Sequence, residues 1–414
     1  MMRVSLRASI PLSAALLLAC VGDSPTSTVD AGPLDSGLPD TVVADSGTQD
    51  SPGCSTGLDL CGGKCVDLTA SAPHCGACGH DCGSDATCVD SRCTAATIAS
   101  VEHPVGVAAS GPAVFWLRGD RSTFVGALET CTAVGCNPTK IAVVNSDFDI
   151  IVPASEPTGA TLLTDGTYLQ WFAQNSSQNT NVHPFHCPIV GCDHISKGVA
   201  ENPDSVIAMA IGGPSGSLKL LYRVPVGAAR TCPFGICSNV NQTSIPLPSD
   251  QNPSAIAADA TRLYFDDPFK SQVNSCVLGT TCTGSGSTPL FSPGASILAV
   301  GGTTLVASGG GTLRSCPVTG CGGQPTTLAT NQPNVTAMVA DANAVYFALG
   351  GTLGTANGEI RTCPLPDCKG GAKSIATGLA FPNSLAISGG ALFWSNGGTT
   401  GVSAVKGSIQ RITL

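Results

Sequence analysis

Charge is scarce in this chain: 11% of its 414 residues are charged, and the 19 Lys and Arg are outnumbered by 28 Asp and Glu, for a net charge of −9 at pH 7. So acidic a protein, with no basic stripe to neutralise phosphates, argues against nucleic acid as a partner. Aromatics are thin as well, at three Trp, four Tyr and twelve Phe, a light payload for a large core. The sequence contains neither a Gly-x-Ser-x-Gly elbow nor a phosphate-binding Gly-rich loop, which removes two common routes to hydrolytic and nucleotide chemistry. Helix-forming stretches are nearly absent. In their place stand 50 Gly, 29 Pro and 21 Cys, a composition of turns and short strands held by cross-links.

The cysteines reveal a repeat. Six pairs recur about one short turn apart: Cys131/Cys136, Cys187/Cys192, Cys232/Cys237, Cys276/Cys282, Cys316/Cys321 and Cys363/Cys368. Prolines mark the same period at Pro104, Pro157, Pro203, Pro253, Pro293, Pro333 and Pro382, about 46 residues apart on average, the length of a propeller blade. Behind each proline comes a stretch of small apolar residues such as Ala255-Ile256-Ala257-Ala258, which suits an innermost strand. A bulky pair follows: Phe115-Trp116, Trp171-Phe172, Leu221-Tyr222, Tyr264-Phe265, Leu305-Val306, Tyr346-Phe347 and Phe393-Trp394. These pairs are expected to fill the space between neighbouring sheets. A third strand runs into the first cysteine, as Gly358 to Cys363, and a fourth follows the second, as Lys373 to Thr377.

Seven prolines predict an all-β, seven-bladed β-propeller, with six blades as the alternative because the fifth unit is thin. The seventh unit ends at its third strand, Gly407 to Ile412, and Ala96 to Ser100 reads like the missing fourth one. Pairing those two segments would close the ring and remove its exposed edges. Each cysteine pair would clip the turn between third and fourth strands; the chain-entropy model assigns about 2 kcal/mol to so short a loop.

Ahead of the propeller, residues 94–414, the chain has three further parts. Arg3 and Arg7 precede an apolar run from Ala8 to Leu18, too short to span a bilayer, that ends in Leu17-Leu18-Ala19-Cys20. This resembles a bacterial lipoprotein signal, residues 1–19, with its lipobox. The resemblance implies cleavage before Cys20, acylation of that residue, and a place in the bacterial cell envelope, at the outer membrane or cell surface, with the membrane met only through the lipid anchor. Residues 20–53 carry Asp23, Asp30, Asp35, Asp40, Asp45 and Asp50, no basic side chain and no aromatic, and predict a disordered acidic linker.

Residues 54–93 hold Cys54, Cys61, Cys65, Cys75, Cys78, Cys82, Cys88 and Cys93, a density that predicts four bridges around almost no core. Cys75-x-x-Cys78 also has redox spacing, and Cys75, Cys78 and Cys82 with His74 or His80 have zinc-like spacing. Disulfides close the count better: with Cys20 lipidated, twenty cysteines remain, eight in this module and twelve in the six pairs. Cys61-Gly62-Gly63-Lys64-Cys65-Val66-Asp67, followed by His74-Cys75-Gly76-Ala77-Cys78-Gly79-His80-Asp81-Cys82, resembles the stigma-specific cysteine-rich family. That resemblance implies an extracellular disulfide module.

Within the repeat, Pro253-Ser254-Ala255-Ile256-Ala257 and then Leu263-Tyr264-Phe265-Asp266-Asp267 resemble YWTD-like and TolB-like propeller repeats. The likeness implies a propeller whose relatives include ligand-binding surface domains and, through similar folds, gluconolactonases and streptogramin lyases. Fold alone does not choose among them. An enzyme of that kind needs acids, bases or a metal at the funnel. The residues after the prolines are Val105, Thr158, Asp204, Ser254, Gly294, Asn334 and Asn383, of which Asp204, Asn334 and Asn383 are the candidates for a hard-cation site such as calcium. One carboxylate makes a weak cage, and Asp and Asn after Pro are ordinary turn residues. His183, His186 and His194 read as surface loop residues, and Arg118-Gly119-Asp120 as a charged loop.

The expectation is therefore a lipid-anchored propeller without a resident cofactor that binds a protein or glycan. The long polar segments Gln174 to Asn181 and Ser395 to Gly407 would present the contact surface. A propeller hydrolase or lyase with a funnel cation, and a structural envelope component, are the alternatives.

Overall fold

The computed structural model describes residues 53–414 except 84–85, 103, 120–125, 133–135, 145–147, 150–161, 176–181, 191, 193–195, 198–208, 215–216, 225–227, 236–242, 248–252, 281, 283–285, 353–354 and 398–405. The expected lipidation site Cys20, the signal, most of the linker and Asp204 lie outside the described residues, as do the expected strand openers Pro157 and Pro203. Among the described residues the only helix is the 3₁₀ turn Ala72–His74, and no helix is long and apolar enough to cross a membrane.

Each proline-led unit of the sequence forms one antiparallel sheet, seven among the described residues, numbered in chain order as blades one to seven. Blade one, for example, runs Pro104–Ser110, Ala113–Gly119, Gly126–Thr132 and Thr139–Val144, paired in that order. First strands meet across neighbouring blades, Ile297–Gly301 beside Val335–Ala340, Val335–Ala340 beside Pro382–Ser388, and Pro382–Ser388 beside Pro104–Ser110, so they form the inner wall of a ring. The ring closes as the sequence requires: Ala96–Glu102 pairs with Lys406–Thr413, from Arg411↔Ala96 to Lys406↔Glu102, and supplies the fourth strand of blade seven.

The bulky pair of each second strand divides its labour by strand alternation, since successive side chains point to opposite faces. Phe393 packs toward blade one with Val107, Val114 and Trp116, while Trp394 packs toward blade six with Tyr346 and Ile360. Tyr264 likewise joins Leu298 and Leu305 of blade five, and Phe265 joins Leu221 and Ile245 of blade three. Trp116, Trp171, Tyr264, Phe265, Phe347 and Trp394 are all fully buried. Two pairs differ from the sequence reading by one residue. The first cysteine of a blade sits opposite the residue just before the pair, as Cys276 opposite Leu263. Cys187 opposite Leu169 and Cys316 opposite Leu305 therefore make the pairs Gln170-Trp171 and Val306-Ala307, not Trp171-Phe172 and Leu305-Val306.

Short turns are fixed by side-chain caps. Asp165, Asp259 and Asp341 stand in the turn between first and second strands of blades two, four and six, and one carboxylate oxygen accepts two backbone N–H groups in each: Thr167 and Tyr168, Thr261 and Arg262, Asn343 and Ala344. This is the Asx device that lets Asp initiate a turn. Tyr264 adds its hydroxyl to Asp259 at 2.6 Å. On the same side of the ring, Cys131–Cys136, Cys187–Cys192, Cys276–Cys282, Cys316–Cys321 and Cys363–Cys368 clip the connections between third and fourth strands. Cys232 is disulfide-bonded as well, and Cys237 lies outside the described residues.

The module's four bridges are Cys54–Cys65, Cys61–Cys78, Cys75–Cys88 and Cys82–Cys93. Two hairpins, Asp59–Cys61 with Lys64–Val66 and Cys88–Val89 with Arg92–Cys93, carry its little regular structure. Two of its cystines, Cys75–Cys88 and Cys82–Cys93, are its core, and they share an apolar cluster with Leu392 and Ile412 of blade seven.

Candidate functional site

The first strands of the propeller carry the side chains that a funnel ligand would meet, and their register decides which positions are equivalent. A β-bulge, one extra residue in the ladder, interrupts the first strand of blades one, six and seven. It falls between Pro104 and Gly106, Val335 and Ala337, and Pro382 and Ser384. The bulged residues are thus Val105, Thr336 and Asn383.

Thr336 Oγ1 donates to the carbonyl of Pro382 at 2.6 Å, and Asn383 Nδ2 donates to the carbonyl of Pro104 at 3.2 Å. Each bulged side chain reaches the residue just before the next blade's bulge, so the pair staples blade six to seven and blade seven to one. Asn383 Oδ1 accepts from Ser395 Oγ at 2.7 Å, and Ser384 Oγ accepts from the backbone N–H of Val107 at 3.1 Å. Buried polar groups of this kind must find partners, and here they find them within blade seven and across its boundaries.

Asn334 does not occupy the same position as Asn383. It lies two residues ahead of Thr336, exposed, with φ 54°, and its Nδ2 donates to the carbonyl of Gly351 at 2.9 Å. The sequence reading took the residue after each proline as one structural position. The prolines are a poor ruler: Pro104 and Pro382 are the first residues of their strands, whereas Pro333 and Pro293 precede strands that begin at Val335 and Ile297. A residue with fixed φ and no N–H suits the loop-to-strand junction at any of these distances.

Blade four has a different inner device. Asp266 is 2% exposed; its Oδ1 accepts from the backbone of Ala255 at 2.7 Å and its Oδ2 from Ser254 Oγ at 2.9 Å. Burial pushes its carboxyl up to about 6, against the pull of these hydrogen bonds. Asp267, also buried, accepts from the backbone of Phe269 and Lys270 and shapes the following turn, on which Phe269 stands 72% exposed. The Tyr-Phe-Asp-Asp motif thus builds blade four: the phenol braces one turn, Asp267 the other, and Asp266 locks the inner strand.

Blade two breaks the repeat. Where the other blades place Phe115, Leu221, Tyr264, Val306, Tyr346 or Phe393, it places Gln170, which is fully buried. Gln170 Oε1 accepts from Gly235 N at 3.3 Å, and directly across the ladder sits His186. His186 was expected on the surface, yet it is 9% exposed, in strand Val182–Pro188, and burial lowers its pKa. The strand period places it inward; a histidine flanked by a cysteine and prolines had looked like loop. His194 lies outside the described residues.

The remaining candidates sort quickly. Cys75, Cys82 and Cys93 bring their sulfurs within 4.8 Å of one another, but all three are spent in cystines, which leaves no thiolate for zinc or redox exchange. His74 Nδ1 accepts from Gly79 N at 2.9 Å, and His80 Nδ1 donates to the carbonyl of Cys75 at 2.5 Å, so both brace the module's turn. Arg118 belongs to a strand, where its Nε meets Glu129 Oε1 at 2.8 Å, and Asp120 lies outside the described residues. Most of Gln174 to Asn181 and Ser395 to Gly407 also falls there.

No family model matches the chain, and no curated protein does. Solved structures do. Over 77% of this chain and 29% of the other, it is similar to Raptor from Chaetomium thermophilum, with 8% identity and a TM-score of 0.52. The chain has the β-propeller fold. At that identity the likeness is one of fold alone, and the propeller corresponds to less than a third of that neighbour's length. Other similar structures are the WD40 domain of Neurospora crassa Pan2, at 8% identity over 77% of this chain and 95% of that one with a TM-score of 0.49, and a chain of a nidogen–laminin complex, at 11% identity, 67% and 80% coverage and a TM-score of 0.36.

What sequence reasoning missed is Thr336 on the inner wall, the bond of Ser254 to Asp266, and the burial of Gln170 opposite His186 on the side of blade two that meets Gly235. Counting back from the first cysteine of each unit, a covalently fixed landmark, aligns Gln170 with Tyr264 and its counterparts; counting forward from the prolines did not.

Proposed function

We propose that this protein is a bacterial cell-envelope lipoprotein, anchored through Cys20 at the outer membrane or cell surface, whose propeller binds a protein or glycan partner without catalysing a reaction. The observation that carries the binding reading is the commitment of Thr336, Asn383, Ser384 and Ser254 to hydrogen bonds within and between blades. Side chains that staple the ring are poor candidates for the mobile acids, bases and ligands of a reaction centre. Asp266, whose raised pKa would suit a general acid, is sealed against Ser254 and Ala255 at the head of the inner strand of its blade.

Two experiments test the two halves of this reading. Replacing Cys20 with Ala will release the protein from membranes, and label from a fatty acid will enter the wild type only; a variant that stays membrane-bound refutes the anchor. Lactone and glycan panels assayed with and without calcium, for wild type and Asp204→Ala, will show no turnover. A robust cation-dependent rate abolished by the substitution would overturn the binding reading and install a propeller hydrolase or lyase in its place.

A further inference from the structure

In blades one, two, four, five and six a disulfide ties the third strand to the fourth by one rule. The first cysteine lies opposite an apolar residue of the second strand: Cys131 opposite Val114, Cys276 opposite Leu263, Cys363 opposite Val345. The second stands a few residues ahead of the fourth strand, Cys136 before Thr139–Val144 and Cys368 before Lys373–Leu379. Blade seven has no such pair. Opposite its Leu392 stands Ile412, and its fourth strand arrives from the other end of the propeller sequence.

Yet a cysteine stands ahead of that strand too. Cys93 precedes Ala96–Glu102 by the same interval that separates Cys136 from Thr139. Its partner is Cys82, and Cys82 is held by the strand that lacks a cysteine: its carbonyl accepts from Thr413 Oγ1 and from Arg411 Nη2, each at 3.3 Å. Arg411 is 7% exposed, and its guanidinium fills the space beside Gly83, where a Cβ would collide with it. Cys82 and Cys93, 1% and 6% exposed, lie in one apolar cluster with Leu392 and Ile412.

We propose that the Cys82–Cys93 bond is the seventh clip of the ring. Where those five blades join their third and fourth strands directly, blade seven joins them in two links, a disulfide from the residue leading into Ala96–Glu102 to Cys82, and hydrogen bonds from Cys82 to Lys406–Thr413. The clip lies on the one seam that no continuous chain crosses, where a lock has most to do. The cysteine-rich module is on this account a working part of the propeller's closure and not an independent head that merely precedes it.

The test uses the full chain and reads hydrogen exchange strand by strand. In Cys82→Ser/Cys93→Ser, exchange in 96–102 and 406–413 will rise about tenfold while blades four and five keep their wild-type protection. Cys54→Ser/Cys65→Ser, which opens a bridge of the same module away from the seam, will leave 96–102 unchanged. In Cys82→Ser/Ile412→Cys the thiol introduced at position 412 will be found joined to Cys93, and seam protection will return. Unchanged protection at the seam in the first variant overturns the proposal, as does an equal loss across blades four, five and seven. Should the first variant not fold, the rescue variant decides: recovered folding with the 412–93 bond supports the clip, and failure with a free thiol at 412 refutes it.

Discussion

Deleting residues 96–102 will lower the stability of this protein by on the order of 5 kcal/mol and make it aggregate on heating, whereas deleting residues 21–50 will leave its melting unchanged. The first deletion strips the ladder from Lys406–Thr413, whose partners run from Ala96 to Glu102. It also uncovers the apolar surface that Ala96, Ala99 and Val101 bury at 3%, 6% and 7% exposure. A handful of backbone hydrogen bonds, at roughly 1 kcal/mol net each, and this burial together approach the whole stability of an ordinary domain. The bared strand then becomes a free edge on which a second molecule can pair. Residues 21–50 hold six aspartates and no aromatic, a composition that gives a chain little apolar surface to bury. Melting and light scattering of the two variants side by side measure the contrast, and equal effects would sink the closure argument.

The parts of this fold that were legible in the sequence are those with local or repeated markers. Cysteines five or six residues apart can only clip a turn, and a final unit short of one strand, with a spare strand-like segment upstream, implies closure. Blade two shows where repetition misleads: Trp171-Phe172 looks like the bulky pair, and only the ladder opposite Cys187 reveals that Gln170 fills the inward position. Asn334 and Asn383 follow prolines alike, and only the bulges show that Thr336 is the counterpart of Asn383. The module's bridges were beyond reach for a combinatorial reason, since eight cysteines allow 105 connectivities. Its seat on blade seven was beyond reach for a topological one: Cys82 and Thr413 lie 331 positions apart, and neither residue type announces the contact.

Replacing Asp266 with Asn will stabilise the protein at pH 8 by on the order of 2 kcal/mol and leave it nearly unaffected at pH 4. Burial raises the Asp266 carboxyl from its ordinary 3.8 to about 6 in the folded chain. The folded state therefore holds a proton that the unfolded chain gives up over that range. The stability linked to this group is fully present below the unfolded value and is lost as pH rises through about 6, because above that a desolvated charge must be kept in the wall of the ring. Asn removes the charge yet preserves both contacts, its Oδ1 accepting from Ala255 and its Nδ2 donating to the Ser254 hydroxyl. Asp259 and His186 are among the groups that tilt the profile the opposite way. Burial works to raise Asp259, but hydrogen bonds from Tyr264, Thr261 and Arg262 hold it below the usual carboxylate range, and burial lowers His186, so both favour stability toward higher pH. Raw melting curves will mix these contributions. The difference between wild type and Asp266→Asn, taken at each pH from 4 to 8, isolates the one carboxyl. A difference that stays flat across that range, or a variant less stable than wild type at pH 8, would mean that Asp266 is ionised at no cost and that its hydrogen bonds, not its burial, govern the inner strand of blade four.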